Sequence, residues 1–131
     1  MNTLKVKITD IQNENSLHVV TFERANFYLT MLSLDLSEAL KVGTQVQVGI
    51  KATHLTLSQT KKDDISMANQ IQGKITSVEM GVLLACIKVE IDGIVWESLI
   101  TLPIAKKMAL KVGAPVFVLF NASELSIVGV S

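Results

Sequence analysis

The sequence predicts a mainly β protein built from two tandem, small, five-stranded OB-like barrels, each with one short helix. Three observations predict this. The pentapeptide ALKVG stands at residues 39–43 and again at 109–113. Apolar residues alternate in short runs, the period of half-buried strands. Hydrophobic residues make up 49% of the 131-residue chain and aromatics only 5%, so the core is aliphatic, and its Val and Ile side chains favour strands.

The repeat extends beyond ALKVG. At a shift of 67 residues, Asn2, Lys7, Ile8 and Thr9 fall on Asn69, Lys74, Ile75 and Thr76. At a shift of 70, Val46, Val48, Ala52 and Leu55 fall on Val116, Val118, Ala122 and Leu125. The second copy therefore carries three extra residues in its first half, the kind of insertion that loops and hairpins tolerate. The units are residues 1–59 and 67–131. Residues 60–66, TKKDDIS, are polar and charged with no apolar period, and read as a linker.

The elements follow in order. In LKVKITDI, Leu4, Val6 and Ile8 share one face of a strand. SLHVVTFE and NFYLTML continue as strands. SLDLSEAL is expected to turn helical, with Ser33 as N-cap and Gly43 as the stop. In the second unit LLACIKVEI turns at Asp92-Gly93, a strong hairpin signal, into IVWESLI. Thr101 then caps a short helix with Pro103 in its first turn. PVFVLF and ELSIVGV close the chain as strands. In ALKVG itself the Leu packs on the barrel and the Gly takes a left-handed turn. Lys41 and Lys111 are expected in the last helical turn, at the negative end of the dipole.

Composition excludes several functions. Twelve basic residues balance twelve acidic ones, which removes the electrostatic footprint of a nucleic-acid binder or a membrane-surface protein. A lone Cys86 points to a reducing compartment. No apolar run approaches membrane-spanning length and no signal stretch opens the chain, so a cytoplasmic location is expected. Catalysis is not expected: Asp63, Asp64, Glu90, Asp92 and Glu97 are scattered, and His18 and His54 lack partners at metal-ligand spacing. Cys86 reads as inert packing. Trp96 reads as packing at a barrel or subunit surface. The mean hydropathy of +0.43 is high for two small units, which favours assembly with other copies.

Three stretches carry a resemblance: SMANQIQGKIT (residues 66–76), IKATHLTL (50–57) and FNASELSI (120–127). They resemble the molybdate-binding Mop (TOBE) domain family. Its units begin near Ser-Ala-Arg-Asn-x-Leu-x-Gly, pass through an Ile-Thr stretch, a short helix and a Lys-x-Gly turn, and close with Ile-Lys-Ala-Ser/Thr. The tandem arrangement is similar to the di-Mop molbindins and covers essentially the whole chain. Ser66, Asn69 and Gly73 match the opening motif, with Met67 and Ala68 in place of Ala-Arg; the first unit retains only Asn2. Lys51, Ala52 and Thr53 match the closing motif. Asn121, Ala122 and Ser123 match it with the lysine lost. Thr101 falls on the threonine of Ile-Thr, and the shift of 70 puts Met31 at that place in the first unit.

The resemblance implies a ligand, molybdate or tungstate, held between units of a homo-oligomer, a trimer or a dimer. It implies a role in storage, homeostasis or sensing. The alternative it leaves open is an oligomerising accessory or regulatory domain of a transporter ATPase or transcription regulator, with degenerate or absent oxyanion sites. The residue types suit a tetrahedral dianion, whose hydration must be replaced by donors alone. Ser and Thr hydroxyls, an Asn amide, backbone N–H groups and one lysine do this. Lys51 stands in one unit and Ser66 with Asn69 near the start of the other, so the expectation is that sites combine them across an interface or that only one class of site is functional.

Overall fold

A computed structural model describes residues 1–130. Ten strands run in chain order: β1 (Asn2–Glu14), β2 (Leu17–Arg24), β3 (Phe27–Ser33), β4 (Gln45–Ile50), β5 (Thr56–Ser58), β6 (Asn69–Met80), β7 (Leu84–Ile91), β8 (Ile94–Thr101), β9 (Pro115–Phe120) and β10 (Ser126–Val130). One helix, α1 (Leu102–Met108), follows β8, and 3₁₀ turns at Ala52–His54 and Ala122–Glu124 follow β4 and β9. The strands form two antiparallel five-stranded sheets, ordered β10-β4-β1-β2-β3 and β5-β9-β6-β7-β8. The expected mainly β architecture forms, as two five-stranded sheets.

The alternation in β1 does what its period implies: Asn2, Leu4, Val6 and Ile8 are buried and Thr3, Lys5 and Lys7 are exposed. The Asp92-Gly93 hairpin also forms, with φ of 48° and 80°, both positive as a type I′ turn requires. The repeated Lys-Ile-Thr and ALKVG are parts of one device. A β-bulge interrupts β1 between Ile8 and Asp10, and β6 between Ile75 and Ser77. The Ile before each bulge bonds to the turn made by ALKVG. Gly43 N–H donates to Ile8 O at 2.7 Å, and Gly113 N–H to Ile75 O at 2.8 Å. Both glycines have φ near +90°, at 96° and 90°, where a Cβ is disfavoured.

Several expectations need correction. Only the second unit has an α-helix; residues 34–43 of the first are irregular. The register of β2–β3 and β7–β8 pairs Val20 with Met31 and Ile87 with Ser98, so the shift of 67 holds through the end of β3. All three extra residues therefore fall between β8 and ALKVG, where they supply the turn that α1 needs. The first unit has only residues 34–38 there, too few to close a helix. Ser33 accordingly caps no helix: its hydroxyl accepts the Asp35 N–H and donates to the Asp35 carbonyl. The register also makes Ser98, not Thr101, the counterpart of Met31. In the second unit α1 ends at Ala109, which adopts the left-handed conformation (φ 52°), so Lys111 lies beyond the helix and Lys106 and Lys107 occupy its last turn.

The closing strands are exchanged. β5 pairs with β9, and β10 with β4. Each 3₁₀ turn carries the chain out of its own sheet and onto the edge of the other. Leu55, Leu57 and Leu125 are thereby buried in one aliphatic core shared by both units. A half-chain would leave these leucines in water, at a cost of about 2 kcal/mol each. Trp96 is also not at a surface. It is 1% exposed, donates its indole N–H to Thr3 O at 2.9 Å, and lies tilted against Phe120.

Candidate functional site

The two closing motifs fold alike. Lys51 (φ −71°, ψ 143°) and Asn121 (φ −74°, ψ 148°) are extended residues leading into the 3₁₀ turns. Each turn is closed by one backbone bond, His54 N–H to Lys51 O and Glu124 N–H to Asn121 O, both 3.0 Å. The first N–H groups of each turn, at Ala52 and Thr53 and at Ala122 and Ser123, have no acceptor within the turn. Lys51, Thr53, Asn121 and Ser123 are exposed, Ala52 and Ala122 half-buried. The side chains of Lys51, Thr53, Asn121 and Ser123 carry no hydrogen bond or ion pair among the described residues. The two turns meet each other: His54 Nδ1 lies 2.8 Å from Glu124 Oε2.

Each turn lies beside the opening strand of its own unit. Asn2 pairs with Ile50, next to Lys51, and Asn69 pairs with Phe120, next to Asn121. The two asparagines have a structural task that their sequence does not announce. The Asn69 amide accepts the Thr30 N–H at 2.8 Å and donates to the Thr30 carbonyl at 2.9 Å. Asn2 does the same with Glu97, at 2.9 Å and 2.8 Å. Glu97 is the counterpart of Thr30 at the 67-residue shift, so the contacts are reciprocal. Each side chain acts as a one-residue strand on the free edge of the other unit. One amide hydrogen of each asparagine remains.

The other expected site residues are placed as follows. Ser66 is exposed just before β6 with no hydrogen bond among the described residues. No hydrogen bond or strand pairing joins Lys51–Thr53 to Ser66 or Asn69 within the described residues. Thr101 is exposed at the end of β8, with its hydroxyl not used as a cap. It stands four residues beyond Glu97, about 13 Å along the strand from the Asn2 contact.

Two residues were not anticipated. A recess of about 470 Å³ brings Asn2 and Ala52 together with Lys88 and Glu97 of the second unit. Lys88 Nζ is 4.0 Å from Glu97 Oε1, so the carboxylate offsets part of this cation's field. Lys88 enters through the register of β7 on β8, which no local motif encodes. Gln70 is the other: its amide bonds both backbone groups of Lys62, at 2.9 Å and 2.6 Å, and fastens the linker to β6.

Cys86 sits near this face. Burial pushes its thiol above the ordinary value, and the Glu97 and Glu79 carboxylates add to that, with Lys88 opposing. The thiolate is the reactive form, so a raised value means less of it at a given pH. Alkylation of Cys86 between about pH 7 and 9 is expected to run several-fold slower than that of an unstructured cysteine, measured by mass spectrometry against a peptide control. Equal rates would contradict this.

The fold and these turns define a class: tandem β units whose paired, donor-rich turns suit a small anion. Residues 65–127, which span most of the second unit, match the TOBE domain. Among solved structures it is similar to the cytoplasmic molybdate-binding protein ModG, in a form with molybdate bound. The TM-score is 0.90 at 20% identity, over 99% of this chain and 96% of that one, which establishes a common fold. Comparison with the curated proteins finds no match.

Proposed function

We propose that this protein binds a tetrahedral oxyanion, molybdate or tungstate, in the cytoplasm, and serves in storage, homeostasis or sensing rather than catalysis. The observation that carries this reading is the pair of exposed 3₁₀ turns, presenting Lys51, Ala52 and Thr53 in one unit and Asn121, Ala122 and Ser123 in the other. They are set in a fold shared over its full length with a protein described as having molybdate bound. The binding units are residues 1–59 and 67–131, joined by 60–66, and each OB-like barrel is completed by the other's last strand.

The sites lie between units of a homo-oligomer. Lys51 and Thr53 of one copy meet Ser66 and the remaining Asn69 amide hydrogen of another, since no hydrogen bond or strand pairing joins them among the described residues. Lys51 supplies the positive charge that offsets desolvation of the dianion. Asn121 supplies none, so the second turn binds more weakly, and Thr101 contributes only where a neighbouring copy reaches it. The reading as an accessory domain with degenerate sites draws on a specific observation: both opening asparagines already spend most of their amides on edge strands.

Calorimetric titration with molybdate tests these readings. Lys51→Ala is expected to weaken binding at least tenfold, or about 1.4 kcal/mol, with tungstate competing for the same sites. Unchanged affinity in the variant removes Lys51 from the site. No binding by the wild-type protein at millimolar molybdate favours the accessory reading.

A further inference from the structure

The repeat provides an internal control for surface features, and the two units differ most at one end. The β6–β7 turn presents Val82 (90% exposed) and Leu83 (78%), flanked by Met80 and Leu84 at 47% and 48%. Its counterpart in the first unit is Asn13-Glu14-Asn15-Ser16, which is polar. Helix α1 lies against this tip, where Leu102 N–H donates to Leu83 O at 2.9 Å, and it exposes Ile104, Lys106 and Lys107. An apolar projection of this kind on a soluble fold marks a contact surface.

The first unit has the complement. Where α1 would stand there is a groove of about 350 Å³, lined by Met31, Leu36, Leu40 and Ile127, with Asp35 on its wall. Ser33 also lines it, and the cross-strand neighbour of Ser33, His18, has its Nδ1 buried without a partner among the described residues. In the second unit the counterpart of His18 is Ala85, on a strand that α1 covers. Asp35 and Glu38 beside the groove, and Lys106 and Lys107 beside the tip, form no ion pair among the described residues.

We propose that the Val82-Leu83 tip and α1 of one copy seat in the groove between Met31 and Ile127 of a second copy, with Lys106 and Lys107 facing Asp35 and Glu38. The contact is head-to-tail, so successive copies join by the same interface and close into a ring when the rotation permits. It rests on the oligomeric reading above and names the surfaces that build it. The charges favour a protein partner over a lipid surface: two lysines on a chain of zero net charge fall short of the basic cluster that anionic membranes attract.

The test is molar mass by light scattering after size exclusion, at tens of micromolar protein. Two double variants are used, Val82→Asp with Leu83→Asp and Asp35→Lys with Glu38→Lys. All four positions are exposed, so the melting curves should match the wild type and show that folding is intact. The wild type is expected to be an oligomer and each variant a monomer. Mixed in equal amounts, the variants are expected to give a one-to-one heterodimer, because one retains the groove and the other the tip. Wild-type mass in either variant, or no heterodimer in the mixture, overturns this interface while the oligomeric reading stands. A monomeric wild type overturns both, and wild-type monomers that sediment with anionic vesicles point to lipid instead. Molybdate titration reads the oxyanion sites separately.

Discussion

Replacing Trp96 with Ala is expected to destabilise the protein by about 4 kcal/mol, measured by denaturant unfolding. Trp96 is the largest fully buried side chain. It belongs to β8 of the second unit, yet its indole N–H bonds Thr3 O in β1 of the first, and its ring lies 5.9 Å from that of Phe120. Truncation opens a cavity between the units and leaves the Thr3 carbonyl without that donor. Trp96→Phe isolates the second effect: it retains most of the packing and is expected to cost about 1–2 kcal/mol. Both variants should unfold in a single transition, because the closing strands are exchanged and neither unit is complete alone. A loss below about 1 kcal/mol for Trp96→Ala would show that the shared core is less continuous than described.

Asn69→Ala is expected to cost about 3 kcal/mol, or roughly 10 °C in Tm. Asn69 is 1% exposed and satisfies both the N–H and the carbonyl of Thr30. Alanine leaves two part-buried backbone groups without these partners, each costing about 1–3 kcal/mol. Asn69→Asp retains an acceptor for the Thr30 N–H but sets a carboxylate oxygen against the Thr30 carbonyl, so it should not rescue stability. A stable Asn69→Ala variant would show that the Thr30 bonds contribute little to stability. The effect is thus separable from that of Lys51→Ala, which removes an exposed side chain with no partner among the described residues and should leave Tm within about 2 °C.

The strands and the repeat were legible because both are local. Period two in LKVKITDI is enough to bury Leu4, Val6 and Ile8, and Asp92-Gly93 is enough to turn a hairpin. The helix of the first unit was misread because SLDLSEAL has helical composition, while the count of residues between β3 and ALKVG decides whether a turn can close. That count was present in the change of shift from 67 to 70. The candidate site was legible as motifs but not as a constellation. Lys51 and Asn121 were found on their turns, whereas Lys88 and Glu97 reach the Asn2 recess only through cross-strand register.

By itself the sequence determined two homologous β units, an aliphatic core, and a closing turn in each unit that keeps Ala and a small hydroxyl while exchanging Lys51 for Asn121. Only the tertiary structure decided which sheet each last strand joins, and that Asn2 and Asn69 spend their amides on the edge of the opposite unit. The physical reason is that side-chain period specifies which face of a strand is buried but not which edge it pairs with. Two sheets of the same pattern offer near-equivalent edges. The observed pairing buries Leu57 and Trp96 together in one core.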